Sequence, residues 1–256
     1  MPHQALSTQE IHTLFIEEIS DAGGVGSDTF DDGNCLFARS ILPWVADVRP
    51  RDEMKGGVAL RAAEGEIAIH PYLFRTVCRN GAILAHAIQT RQVENYDFRL
   101  REEVTQELRE AVRTCCQEEV FTGAAQEVRL TVHREVDRAL ALMSFLSRLP
   151  SALQAEIVRQ IVSRFSEDRE RSQFALANAV TSLARDTRDP ELRWRLEEFG
   201  GGLLTARTPS PSFDPSQARV VRELARQFGA ALVGPALANP QVDEDVSRPA
   251  EEASYV

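Results

Sequence analysis

The sequence predicts an α+β protein, an antiparallel β module followed by a helical module packed on it. Three observations lead there. Between residues 34 and 95, short apolar runs alternate with turn dipeptides, and Glu66-Ile67-Ala68-Ile69-His70 has the two-residue period of a half-buried strand. From 97 to 206 the apolar period lengthens to three and four, as on amphipathic helices. The 256 residues are 43% hydrophobic and 27% charged, enough to bury a core without disulfide or metal staples.

The elements follow in order. Residues 6–20 read as a helix: Leu6 and Ile11 staple its start, Ser7 and Glu10 form a capping box, and Ile11, Leu14, Phe15 and Ile19 make one apolar face. Residues 21–33 read as an acidic, glycine-rich loop. From Asp21, Gly23 and Val25 stand where a calcium loop needs oxygen ligands. In the β module, Gly56-Gly57 and Glu64-Gly65 are turn candidates, Pro71 is expected to end a strand or mark an edge, and Asn80-Gly81 is expected to turn after a strand over 73–79. A stripe of Val128, Val132, Val136, Leu140, Met143 and Leu146 runs to Pro150, and Ser151 with Gln154 caps the next helix, which carries Leu153, Ile157, Ile161 and Phe165. Phe174, Ala177, Val180 and Ala184 line a further helix. Asp189-Pro190 opens another, which Gly200-Gly201-Gly202 is expected to stop.

On this reading residues 1–206 are a single α+β domain, β-rich over 34–95 and helical over 97–206. Residues 207–214 are a Pro/Ser linker, 215–233 an amphipathic helix, and 235–256 a disordered, acidic tail. In the amphipathic helix Val220, Leu224, Phe228 and Leu232 share one side, an interaction face for a second copy or a protein partner.

The formal charge is −10, unevenly spread. Residues 1–48 carry net −7, residues 49–101 net +3, and residues 102–206 net −4. The β module is the basic stretch, a modest footprint for nucleic acid. Of the 29 basic residues only Lys55 is lysine; an arginine preference spread over the whole chain fits a coding bias as well as phosphate recognition.

Recognisable catalytic chemistry is missing. There is no Walker-type loop, no Gly-x-Ser-x-Gly elbow and no His-Glu-x-x-His. Cys35, Cys78, Cys115 and Cys116 form no Cys-x-x-Cys, so neither a zinc site nor a redox pair is expected. Cys78, in an apolar run, is expected to be buried rather than a nucleophile served by His70 or His86. The start, Met1-Pro2-His3-Gln4-Ala5-Leu6, lacks the basic and apolar regions of a signal peptide, and no apolar stretch reaches membrane-span length. The expectation is a cytoplasmic protein with reduced thiols, no cofactor and no membrane contact.

Two readings remain for the basic module. Arg75, Arg79 and Arg91, interleaved with Tyr72 and Phe74, are the candidate contacts to a single DNA strand. The alternative pairs Arg75 with a carboxylate and places Phe74 in the core.

The run Phe74, Arg75, Thr76, Val77, Cys78, Arg79, Asn80 and Gly81 resembles the Arg-x-x-Cys-x-Asn-Gly pattern of a family borne by phages, prophages and plasmids, known as domain of unknown function 932. Two further segments resemble it in the same order: Phe174 to Thr181, with Asn178, Ala179 and Thr181, and Phe199-Gly200-Gly201-Gly202-Leu203-Leu204, which resembles its closing Gly-x-Leu-Leu. Arg79 stands where that family usually has threonine. The resemblance implies a mobile-element setting and supplies no catalytic residue. Physically, Cys78, Asn80, Gly81, Asn178 and Thr181 read as a structural motif, with Asn178 and Thr181 on one helix face tying the helices to the β module. The expected function is a non-catalytic DNA-metabolism accessory that binds single-stranded DNA. The alternative is a homo-oligomeric or partner-binding scaffold without nucleic-acid contact.

Overall fold

The computed structural model describes residues 5–134, 151–167 and 172–205. A long hairpin forms its spine: β4 (Asp52–Ala63) and β5 (Glu66–Arg75) pair along their whole length. Glu64 and Gly65, at φ 55° and 77°, make the turn that Glu64-Gly65 predicts. β2 (Leu36–Ile41) and β3 (Val45–Arg49) lie end to end along β4, and β1 (Val25–Asp31) adds outside β2. On the far side, β6 (Asn80–Ile83) and β7 (Arg91–Val93) share β5. Every pairing is antiparallel, so the α+β expectation is met.

Helices α1 (Thr8–Asp21) and α2 (Arg101–Cys115) cover one end of a sheet face, over Val58, Leu60, Ile67 and Ile69. The Ser7–Glu10 capping box is formed. Glu18 of α1, almost fully buried, holds both Arg109 and Arg113 of α2. The other end of that face meets α3 (Glu118–Thr131), α4 (Ser151–Glu167) and α5 (Gln173–Asp186), around Met54, Leu73, Ala82 and Leu84. Trp44 packs on both cores and donates its indole N–H to the Cys116 carbonyl, 3.0 Å away. α6 (Pro190–Thr205) lays Trp194 on the opposite face, against Phe37 and Tyr72, then passes along β6. Asp189 caps it through Oδ1 to the Leu192 N–H, with Pro190 at its first position.

Several expectations need correction. The acidic loop over 21–33 contains β1, an edge strand with no buried residue; it carries no apolar alternation because neither of its faces is covered, and it joins the sheet chiefly through its backbone ladder. Gly56-Gly57 is not a turn but lies inside β4. A Cβ on Gly57 would overlap the Ser40 carbonyl, and one on Gly56 would press on Phe121, so both glycines serve close packing. The turn instead falls at Pro50 and Arg51, with Arg51 at φ 67°.

Pro71 does not end its strand. Ser40 Oγ bonds the N–H and C=O of Val58, the residue paired with Pro71, so Val58 points its backbone away from β5 there. Pro71 directs its backbone to the other side, into the gap between β7 and β6, where its carbonyl accepts the Leu84 N–H.

β5 stops at Arg75 and residues 76–79 form the turn, so Arg79 (φ 52°) takes the positive φ and Asn80-Gly81 opens β6. Gly200, Gly201 and Gly202 lie within α6 rather than stopping it. Gly201 sits so close to Ile83 that a Cβ would overlap its carbonyl. The stripe from Val128 breaks after Thr131, where α3 ends; its continuation from 136, the cap at Ser151 and Gln154, and the elements expected over 207–256 lie outside the described residues or side chains.

Candidate functional site

The segments that carry the family resemblance meet in one place. Arg75, the last residue of β5, makes a bidentate pair with Asp52 at 2.6 and 2.6 Å and donates a third bond to Asn178 Oδ1 at 2.5 Å. Asn80, opposite Arg75 on β6 and 3% exposed, donates to Thr181 Oγ1 at 2.6 Å and to Asn178 Oδ1 at 3.1 Å. Thr181 donates its own hydroxyl to the Ala177 carbonyl. Phe174 supports the guanidinium layer, with Arg49 4.5 Å and Arg75 5.0 Å from its ring centre. Gly81 admits the Tyr72 hydroxyl, and Gly200 admits the Thr181 methyl. This is a clasp between the strand ends and α5. Asn80 Oδ1 has no partner among the described residues, and Asn80 lines a cavity of about 10 Å³, the size of one water molecule.

Cys78 stands apart from the clasp. It is half-buried in the 76–79 turn, not enclosed as expected, and its carbonyl accepts a bond from Arg185. His70 lies about 17 Å up β5 from Arg75, too far for a Cys–His pair.

A second polar cluster lies on the opposite face. Arg39 meets Glu197 at 2.6 Å with both side chains almost fully buried, and Arg193 joins Glu197 to Asp28. Burial pushes the Glu197 carboxyl up, while Arg39 and Arg193 pull against it. Burial likewise raises Glu198, which accepts the Trp194 indole N–H at 2.8 Å. His70, held against Thr90 at 3.1 Å, is pushed down to about 4 by burial and by His86. These groups serve one another and seat α6 on the sheet.

The three arginines expected to contact DNA are not gathered. Arg75 is enclosed in the clasp, Arg79 projects from the turn, and Arg91 pairs through its backbone with Ile69, about 20 Å along β5 from Arg75. The Arg91 guanidinium bonds the Ile88 and Thr90 carbonyls. Acids from other segments neutralise much of the rest of the module: Arg61 pairs with Glu191, Arg99 with Glu107 and Arg101 with Glu10. The net +3 read along the chain is therefore partly cancelled in space.

What the fold does open is a groove of about 520 Å³ between the 84–89 loop, α3 and the end of α6. Leu84, Ala87, Ile88, Val120 and Ala124 make it apolar, Glu119 and Glu127 flank it on α3, and His86 and Gln89 complete the loop side. Ile88 is 88% exposed. Two helical glycines line it, Gly123 from α3 and Gly202 from α6. A Cβ on Gly123 would meet nothing within 4 Å, and one on Gly202 only the His86 ring at 3.8 Å. Reading along the sequence missed this site. Its traces were Gly123 inside a helical pattern and an isolated isoleucine in a polar loop.

Among the described residues no cluster of His, Cys, Asp and Glu could hold a metal ion, and no helix is long and apolar enough to cross a membrane. Compared with family models, curated proteins and solved structures, the chain matches none.

Proposed function

We propose that this chain is a non-catalytic interaction module whose groove takes an amphipathic helix with basic residues beside its apolar face. The observation that carries this reading is the groove itself: an apolar floor, an exposed Ile88, glycines that allow close approach, and carboxylates on one wall. The convergence of Arg75, Asn80, Gly81, Asn178, Thr181 and Gly200 in one clasp supports placing the chain with the phage and plasmid family it resembles. Single-stranded DNA is the weaker reading, because the arginines meant for it are dispersed or paired.

The test is a titration with a fluorescein-labelled 18-residue amphipathic peptide of leucine, alanine and arginine. The protein carries Leu224→Glu and Phe228→Glu, so that its own apolar segment does not compete. The basic peptide is expected to bind and its glutamate counterpart to fail. Gly123→Trp on the same background fills the groove and is expected to weaken binding at least tenfold. Absence of binding by the basic peptide, or binding indifferent to Gly123→Trp, overturns the proposal.

A further inference from the structure

We infer that the groove is filled by residues 216–233 of the same chain; this rests on reading the groove as a helix-binding site. Three observations point to that occupant. First, the chain leaves the described structure at the groove: Thr205, the last described residue, lines it one helical turn beyond Gly202. The segment 206–215 can reach up to about 30 Å when extended, so residues 216–233 fall within range of every part of the groove.

Second, charge matches. The segment carries Arg219, Arg222 and Arg226 against the single acid Glu223, and the α3 wall presents Glu119 and Glu127. In a protein of net −10 this is one of few basic helical patterns, and it belongs opposite an acidic wall.

Third, shape matches. Val220, Leu224, Phe228 and Leu232 form the apolar side of the segment, and Ala225 and Gly229 stand four apart beside them. Small residues on the incoming helix and Gly123 and Gly202 on the receiving ones allow backbone to approach backbone, which buries the Phe228 ring and Ile88 together. Gly200 and Gly201 are explained by Thr181 and Ile83, within the described fold; Gly123 and Gly202 have no such neighbour. The occupant also makes the site self-regulating, since an outside helix must displace it and its affinity is scaled down to the fraction of chains in which the groove is open.

Hydrogen exchange on the full chain tests this. Amides of 219–233 are expected to exchange at least tenfold more slowly than in an isolated peptide of that sequence. Gly123→Trp, or Glu119→Arg with Glu127→Arg on the exposed side of α3, is expected to return them to peptide rates. The basic probe peptide described above is expected to bind wild type at least tenfold more weakly than the Leu224→Glu/Phe228→Glu protein. Peptide-like exchange in wild type overturns this inference and leaves the groove's reading to its own titration. Protection that survives both sets of substitutions overturns it by placing the segment elsewhere. Protection that rises with protein concentration, with a dimeric sedimentation mass, assigns the groove to a second copy and overturns it equally. A probe that fails to bind even the Leu224→Glu/Phe228→Glu protein overturns the reading of the groove itself.

Discussion

Arg75 decides whether the clasp holds the two modules together. Arg75→Met keeps an unbranched apolar stem over Phe174 and removes the charge, with the bonds it donates at 2.6 and 2.6 Å to Asp52 and 2.5 Å to Asn178. What remains is the Asp52 carboxylate, 6% exposed, without its partner. Breaking a buried pair from one side costs about 3–5 kcal/mol, far above the 1 kcal/mol or less of a surface pair. For a domain of this size that is a fall in melting temperature of about 6–20 °C. The assay is urea unfolding of a double-mutant cycle. Arg75→Met alone is expected to lose the full amount, and Arg75→Met with Asp52→Leu to recover most of it, because paired removal leaves no stranded charge. Arg75→Lys should fall between, since an ammonium cannot reproduce the forked contact to both Asp52 oxygens. A loss below about 1 kcal/mol in the single variant would mean the pair is solvated, and the account of the clasp would fail.

Other outcomes follow from the same geometry. Gly201→Ala should destabilise strongly because its Cβ would overlap the Ile83 carbonyl, whereas Gly123→Ala in the Leu224→Glu/Phe228→Glu protein, where the groove is open and a Cβ meets nothing, should stabilise by up to about 1 kcal/mol through helix propensity; thermal melts of the two variants check the opposite signs. His70 is held at about 4, below its ordinary 6.5, so the folded state favours the neutral ring. Stability from His70 is complete above pH 6.5 and is lost as pH falls toward 4, about 3 kcal/mol at most; urea midpoints of wild type and His70→Gln at pH 7 and 4.5 should converge accordingly, and parallel curves would refute it. Arg79→Gln with Arg91→Gln should leave the salt dependence of oligonucleotide binding unchanged within about 0.7 in log–log slope, one phosphate contact; a change of two contacts would restore the DNA reading.

Much of the fold was readable because local signals there had one meaning. Ser7 with Glu10 and Asp189 with Pro190 mark helix starts, Glu64-Gly65 marks a tight hairpin, and the three-residue step from Asn178 to Thr181 placed both on the face that meets Asn80. The misreadings share a cause: the same residue serves two physical purposes. Glycine permits a turn and also permits close approach, and at Gly57 and Gly201 only the position of Ser40 and Ile83 in space tells which. Pro71 is tolerated because β6 and β7 leave a gap beside it, a fact about two other strands. β1 was illegible because an exposed edge strand is held by its backbone ladder and shows no burial pattern.

The candidate site was hidden for a different reason. Residues that look like chemistry in this sequence, such as Arg75, Asn80, Asn178, Arg39, Glu197 and His70, are engaged with one another inside the fold. Their prominence marks the joints between sheet and helices. A surface that receives another helix needs no reactive group; it needs apolar area and a backbone that can be approached. Such a surface is marked by residues whose local cost the fold does not explain. A helix-interior glycine costs about 1 kcal/mol relative to alanine, and at Gly201 the contact with β6 accounts for it. At Gly123 nothing within the described fold does, and the exposed Ile88 lines the same groove. Two unexplained costs at one location, beside carboxylates that suit a basic helix, are the physical ground for the proposal that a helix docks there.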